Sequence, residues 1–368
     1  MHILLLEPYL TGSHRAWAEG YAAHSRHRVR ILGMPGRWWK WRMHGGAVTL
    51  ARMFRAGYAD PAPDLILAAD TLDLTTFLAL TRAHTANAAT VCYFHENQLT
   101  YPPPPGEKRD LHYGFINYAS ALAADAVYFN SRFHMEAFFD ELPRLLKHFP
   151  DYNELDTVGL LQRRSDVLPL GLGLRNFDAH QPVAPRQGPP LIVWNHRWEY
   201  DKAPEVFFAA LYQLADQGVD FEVAIVGENF RQQPEEFDRA RERLGARVAQ
   251  FGYLERFADY ARLLWEADVQ VSTAQQDFFG ISTCEAIYCG CAPVLPRRLN
   301  YPALIPPAYH DDYLYDEGCL VEKLRHVLTT RRKPPRTLRW FVSQFDWSEM
   351  APRYDDLFER LARARRRS

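Results

Sequence analysis

The chain has 368 residues, more than one core normally takes, with 47% hydrophobic and 24% charged residues, the balance of an ordinary globular protein. Forty-three Lys and Arg nearly cancel forty-five Asp and Glu, so at a formal net charge of −2 the molecule as a whole does not attract nucleic acid, and any polyanion must meet a local patch. No apolar stretch approaches the ~18 residues that cross a bilayer. The five cysteines, Cys92, Cys284, Cys289, Cys291 and Cys319, suggest reduced thiols in a cytoplasmic protein.

In chain order, the first predicted element is a buried strand, His2–Leu6. Its apolar run is four residues long with no cleavage-like site behind it, so it does not read as a leader. Further strands are predicted at Val29–Leu32, Leu65–Ala68, Ala89–Phe94 and Ala126–Phe129, separated by helical stretches such as Ser13–Ala23, Thr75–Ala83 and Phe133–Phe139. This alternation predicts a parallel sheet with helices on both faces. The polar stretch Asp178–Pro190 holds four prolines and reads as an interdomain linker. Beyond it the alternation restarts, with strands at Leu191–Trp194, Phe221–Val226, Val248–Phe251, Val269–Thr273 and Ala292–Leu295. The helices there are Pro204–Gln217, Pro234–Leu244, Tyr260–Glu266 and Ser282–Cys289, and a last helix spans Ser348–Arg366. The expected organisation is a domain over 1–180, a second over 181–345, and a terminal helix over 346–368 that crosses back to the first. Two doubly wound domains with strand ends facing inward would leave a cleft for a donor and an acceptor.

Several chemistries are missing. No Gly-x-x-x-x-Gly-Lys-Ser/Thr occurs, and Gly171-Leu172-Gly173 has no third glycine to complete a dinucleotide fingerprint. Cys289-Gly290-Cys291 is too tightly spaced for a zinc knuckle, which wants about two to four intervening residues. No two aspartates lie two apart, so the usual carboxylate pair that holds a divalent cation on a sugar diphosphate is missing. No metal and no cofactor are therefore expected. A diphosphate would be met by cationic side chains and backbone amides.

Three pieces could do that. Arg197 and Lys202 follow a strand and precede a helix that opens at Pro204, an anion site made of two cations and exposed amides. The same residues would also suit a solvated surface loop. Gly227 follows a buried strand, where it either lets a ligand approach the backbone or simply makes a turn. Asp277, Phe278, Phe279, Gly280 and Ile281 lead into a predicted helix whose first turn carries Glu285. A carboxylate beside Cys284, Ala286 and Ile287 is costly to bury unless ribose hydroxyls or similar donors pair with it. Helix capping is the other explanation.

Taken together, Arg197-x-x-x-x-Lys202 and Asp277-x7-Glu285 resemble the retaining glycosyltransferases of the GT-B fold, α/β proteins with two Rossmann-like doubly wound domains facing a central cleft. The resemblance implies that Arg197 and Lys202 hold the donor diphosphate, Asp277 contacts sugar hydroxyls, and Glu285 binds ribose. Asp277 stands where a longer Glu is usual. Tyr93–Pro102, Arg42–Ala47, Phe129–Ser131 and Ala286–Cys291 extend the likeness to the tRNA-queuosine mannosyltransferase family. That family implies GDP-mannose as co-substrate and the cyclopentene-diol of queuosine in tRNA-Asp as acceptor, with His95 near the transferred sugar. Gly12 and Ser13 join the expected donor site with Gly227, Phe278–Ile281 and Glu285. Glu96, Asn97 and Gln98 join the expected acceptor site.

One further acceptor signal is physical. Gly36–Arg42 interleaves Arg37, Lys40 and Arg42 with Trp38, Trp39 and Trp41 in what reads as a loop, and His44 follows. Cations for phosphate and indoles for stacking on splayed bases are the mixture of single-stranded nucleic-acid sites. A packed aromatic cluster would look the same. The alternatives kept open are a GT-B enzyme with a lipid or polysaccharide acceptor, and a tRNA-binding protein with a decayed transferase site.

Overall fold

The structure is a computed structural model that describes residues 1–103, 106–228, 235–331 and 333–367. The chain divides into two units, Met1–Leu172 with Trp347–Ser368, and Gly173–Asp346. The first holds β1 (His2–Leu10), β2 (Arg28–Pro35), β3 (Leu65–Ala69), β4 (Ala89–Phe94), β5 (Ala126–Phe129) and β6 (Ser165–Val167). They form one parallel sheet in the order β2-β1-β3-β4-β5-β6. β3, β4 and β5 are buried along their whole length, as strands covered on both faces must be. Phe54, Phe77, Phe94, Phe129 and Phe138 fill one face of that sheet.

The second unit repeats the design with β7 (Leu191–Asn195), β8 (Glu222–Val226), β9 (Val248–Phe251), β10 (Val269–Val271), β11 (Ala292–Pro296) and β12 (Leu314–Tyr315). Its order is β12-β11-β10-β7-β8-β9. In each unit the chain builds outward one way and then returns to build the other way. The reversal lies between β1 and β3 in the first unit and between β7 and β10 in the second. At such a switch, neighbouring loops diverge at the carboxyl ends of the strands and leave a crevice.

Two segments differ from the sequence reading. The tryptophan-rich stretch is not a loop beyond Trp38, because a helix runs from Trp39 to Gly57. Met43, Gly46, Ala47, Leu50, Ala51 and Phe54 recur at helical spacing and are buried, which outweighs the charged first turn. The proline-rich stretch belongs to the second unit. Ahead of it, Phe177 is buried against Phe257 (ring centroids 4.9 Å apart), and its carbonyl accepts from Trp265 Nε1 at 2.8 Å. The first unit therefore ends at Leu172, earlier than composition suggests. The start of the predicted helix at Pro234 lies outside the described residues. Helices over Leu111–Ala123, Leu320–Thr330 and Arg336–Ser343 were not anticipated.

The terminal helix Trp347–Arg365 is part of the first unit. Trp17 Nε1 donates to the Tyr354 hydroxyl (3.2 Å), which donates to Tyr93 (3.0 Å), which donates to the Leu168 carbonyl (2.8 Å). Buried Asp355 accepts from the Tyr21 hydroxyl (2.8 Å), Ser25 Oγ (2.6 Å) and the Arg26 amide (2.9 Å). Removing that carboxylate strands one buried and two part-buried donors, and a buried one alone is worth ~1–3 kcal/mol. Asp355→Ala is thus expected to lower stability by ~3 kcal/mol or more in urea unfolding. Arg363→Ala, which removes an exposed ion pair with Glu359, should change it by less than ~1 kcal/mol. Equal midpoints for the two variants would refute the anchoring role.

Candidate functional site

In the second unit, the site residues sit on the loops after β7 and β10, the two strands at the reversal. Arg197 follows β7 and stays 44% exposed, with Glu199 Oε2 3.7 Å away. Lys202 differs from the projecting cation expected. It is buried in a 3-10 turn, Tyr200–Lys202, where its Nζ pairs with Asp201 Oδ2 (3.0 Å) and donates to the Gln276 carbonyl (2.5 Å). Thr273 Oγ1 donates to the Lys202 carbonyl (2.7 Å), and the Gln275 amide to the Asp201 carbonyl (2.8 Å). Lys202 thus locks the two loops together.

The loop after β10 ends at Gly280, whose φ of +97° sets up the helix Ile281–Tyr288. A side chain there would be strained, and its Cβ would fall 2.7 Å from Leu304 Cδ1. No side chain caps this helix, so its first amides keep their partial positive charge. Phe278 and Phe279 are buried, and Asn300 Nδ2 holds the Phe279 carbonyl at 2.7 Å. They can serve a ligand only through backbone. Asp277 accepts from the Phe279 amide and the Tyr301 hydroxyl, both at 3.2 Å. Glu285 lies one turn inside the helix, not in its first turn, so capping does not explain it. Its Oε2 accepts from the Tyr260 hydroxyl at 2.7 Å, and Asn195 Nδ2 donates to the same hydroxyl oxygen at 3.0 Å. Burial pushes the Glu285 carboxyl up to about 7, against the pull of the Tyr260 hydrogen bond. Gly227 has a structural explanation, since a Cβ there would strike the His196 carbonyl oxygen.

The first unit gathers a second group around its own reversal. Gly12 and Ser13 are exposed at the head of the helix Gly12–His24, with no side-chain cap. His95 follows β4, is buried, and its amide donates to Asp70 Oδ1 at 2.8 Å. Its ring lies 4.3 Å from His14, 4.5 Å edge-on to Trp17 and 5.0 Å from Tyr93. Nε2 of His95 and Oδ2 of Asp70 are buried without hydrogen-bond partners. His14 Nδ1 in turn meets Glu7 Oε2 at 3.0 Å. Sequence reading missed Glu7, His14 and Asp70. The available signal was Glu7 itself, a carboxylate inside the apolar strand His2–Leu10. Among the described residues, Glu7, His14 and His95 also have the composition of a metal site, with ligand atoms within 4.8 Å of one another. Glu7 and His14 already satisfy each other directly, so the pair holds together as it stands.

The expected acceptor residues do not form one set. Arg37 is exposed, and Trp38 and Trp41 are 78% and 61% exposed. Lys40 is an exposed cation, 5.7 Å from the Trp39 ring and 3.9 Å from Glu107. Arg42 is occupied, donating through Nε and Nη2 to the Pro35 carbonyl (3.2 and 3.1 Å). His44 stacks on His112 with centroids 4.6 Å apart. Asn97 is buried, and its Oδ1 accepts from the Leu99 and Thr100 amides (3.0 and 2.9 Å), so it shapes the turn. Gln98 donates to Glu96 at 3.1 Å. The arginine-rich tail pairs with its own unit: Arg363 with Glu359, Arg365 with Asp125, Arg366 with Asp64.

Comparison with known proteins matches residues 2–172 to the tRNA-queuosine alpha-mannosyltransferase N-terminal family and residues 176–337 to the glycosyl transferases group 1 family. A Drosophila melanogaster protein, tRNA-queuosine alpha-mannosyltransferase, is 32% identical over 98% of this chain and 97% of its own length. Among solved structures, sucrose-phosphate synthase from Thermosynechococcus elongatus aligns with a TM-score of 0.74 at 18% identity, covering 99% of this chain and all of its own. The catalytic domain of starch synthase IV from Arabidopsis thaliana, bound to ADP and acarbose, aligns at 0.70 and 10% identity, with 99% of each chain covered. These likenesses, with two parallel six-stranded sheets, give the GT-B fold.

Among the described residues, the Tyr260 hydroxyl is what pulls the Glu285 carboxyl down against its burial. Tyr260→Phe is expected to raise the Glu285 pKa above about 7, read by carboxyl carbon NMR titration. An unchanged value would mean that the hydrogen bond does not set the charge of Glu285.

Proposed function

The chain belongs to the tRNA-queuosine alpha-mannosyltransferase family and is a glycosyltransferase, and from that premise we propose that it moves mannose from GDP-mannose to the cyclopentene-diol of queuosine in the anticodon of tRNA-Asp, with retention. The observation that carries the donor half is the convergence of Lys202, the uncapped amides after Gly280, Asp277 and Glu285 on two adjacent strand ends. Cation and amides suit a diphosphate. A carboxylate held beside a tyrosine hydroxyl suits ribose, whose hydroxyls can donate to it. In the reaction the bond from the anomeric carbon to the diphosphate oxygen breaks. The acceptor hydroxyl bonds to that carbon from the same face, and its proton goes to the departing diphosphate. Arg197 and Lys202 stabilise the charge that develops as GDP leaves. For the first unit, the family likeness offers His95 as the residue at the sugar and Gly12 and Ser13 as donor contacts.

The acceptor half rests on the family and on the exposed face made by Arg37, Trp38, Lys40 and Trp41. Indoles at 78% and 61% exposure next to cations suit unstacked anticodon bases and their phosphates. Arg42 holds the Pro35 carbonyl and Asn97 holds the turn through Thr100, so each acts through backbone rather than by touching RNA.

The test is incubation with GDP-mannose and queuosine-containing tRNA, followed by nucleoside mass spectrometry. A hexose gain on queuosine is expected, and its absence would overturn the assignment. In the same assay Arg197→Ala should lower turnover by about 100-fold at an unchanged melting temperature. Lys202→Ala is a poorer probe, because it leaves Asp201 buried without its cation and costs stability as well.

Donor binding should also depend on pH with a definite sign. Glu285 binds ribose as a carboxylate, and its carboxyl in the free protein titrates at about 7. GDP affinity should therefore rise about tenfold from roughly pH 6 to roughly pH 8, and Glu285→Gln should abolish the rise. A pH-independent affinity in the native protein would remove Glu285 from the site.

A further inference from the structure

We propose that Glu7 and His14 are positioning residues for His95: the Glu7 carboxylate holds the His14 ring as a cation against the face of the His95 ring, which keeps His95 uncharged and fixed in plane. The proposal rests on the reading of His95 as the residue beside the transferred sugar.

The geometry begins with Glu7. It is fully buried between Leu6 and Pro8 in β1, where an ionised carboxylate needs both donors and a counter-charge. Its Oε1 accepts from the Tyr9 amide (2.9 Å) and the Thr71 hydroxyl (3.3 Å). Its Oε2 takes His14 Nδ1 at 3.0 Å, and the His14 side chain is only 12% exposed. Burial alone would strip the proton from His14. Glu7 next to it, with Asp70 and Glu96 further out, more than reverses this and brings the ring to about 9. His14 is therefore an imidazolium at neutral pH.

That cation lies 4.3 Å from the His95 ring, at 37° between planes. Two imidazoles so close cannot both be charged at low cost. Burial first, then the charges of His14 and His134, push His95 well below the ordinary histidine range. The other faces of His95 are closed by Trp17 and Tyr93, and its amide is tied to Asp70. What remains is a neutral ring, bounded by His14, Trp17 and Tyr93, with Nε2 unmet. Tyr354, bonded to Trp17 and Tyr93 behind the ring's neighbours, adds no charge in this range, and Asp70 is itself pushed up, by burial first and then by Glu96.

The sign of the pH effect follows. His14 loses its proton as pH rises through about 9, Glu7 then lacks a counter-charge, and turnover falls. In Glu7→Gln, burial prevails over the missing carboxylate, so His14 is already neutral at pH 7.5. Turnover there should drop about tenfold, with the Michaelis constant for GDP-mannose within about twofold of the native value, and the alkaline fall near 9 should vanish. Glu7→Asp keeps the charge and should restore most of the turnover.

The deciding experiment is nitrogen NMR of the imidazoles in the full chain, run beside these pH–rate profiles. A His14 ring that titrates near 9 in the native protein and below 6.5 in Glu7→Gln supports the proposal. Native titration near the ordinary 6.5, or a Glu7→Gln profile that overlays the native one, would overturn it. So would stoichiometric metal in the purified protein that Glu7→Gln releases, because Glu7 and His14 would then be ligands instead of an ion pair. If the native chain transfers no mannose, the functional reading fails, while the ring titration still decides the charge on His14.

Discussion

Burying a carboxylate among apolar strands costs several kcal/mol unless donors converge on it, and this chain accepts that cost at each place where its loops must hold still. Asp355 pins the terminal helix by gathering Tyr21, Ser25 and Arg26. Asp201 holds Lys202, which in turn holds the loop after β10. Glu7 draws together a strand, a helix start and the Thr71 turn. In each case the carboxylate fixes segments that hydrophobic packing alone would leave free to slide, since apolar contacts carry no directional information.

The sheets explain where those carboxylates are placed. Both units reverse strand order once, and in both the polar groups cluster on the loops that leave the two strands at the reversal and on the strand next to them. A fully parallel sheet buries its strands on both faces, so chemistry can only emerge at their carboxyl ends. Glu7, Asp70 and His95 mark those ends in the first unit. Arg197, Lys202 and Asp277 mark them in the second.

Much of this was legible from the sequence, and what was not has a common cause. Strands such as β4 and β5 could be placed to the residue because they are apolar on both faces, and flanking Gly, Pro or polar residues end them. Each of the two loops was also readable by itself, because Arg197 and Lys202 are close in sequence, as are Asp277 and Glu285. The burial of Lys202 was not. Its locking partner, Gln276, is 74 residues away, and a lysine in a polar loop gives no local sign of it. The helix from Trp39 was lost because its first turn is made of indoles and cations, whose pattern signals RNA contact more strongly than helix. His14 was lost for the opposite reason: a histidine seven residues after Glu7 is unremarkable until strand and helix fold back on each other.

A distinction among the buried carboxylates separates architecture from chemistry. Asp355 has three donors and nothing left to attract, which is how a purely structural acid should look. Glu285 has one hydroxyl, and Asp70 keeps an oxygen with no partner at all. Burial pushes both of these groups up, and Asp70 Oδ2 is left with an unmet demand for a donor. Such a demand is tolerable only if something else meets it part of the time. Glu285 is half-buried with one hydroxyl on Oε2, so it has capacity left, and on the proposed reading ribose hydroxyls would use it. The well-satisfied acids thus hold segments in place, and the poorly satisfied ones are those with capacity left for a ligand.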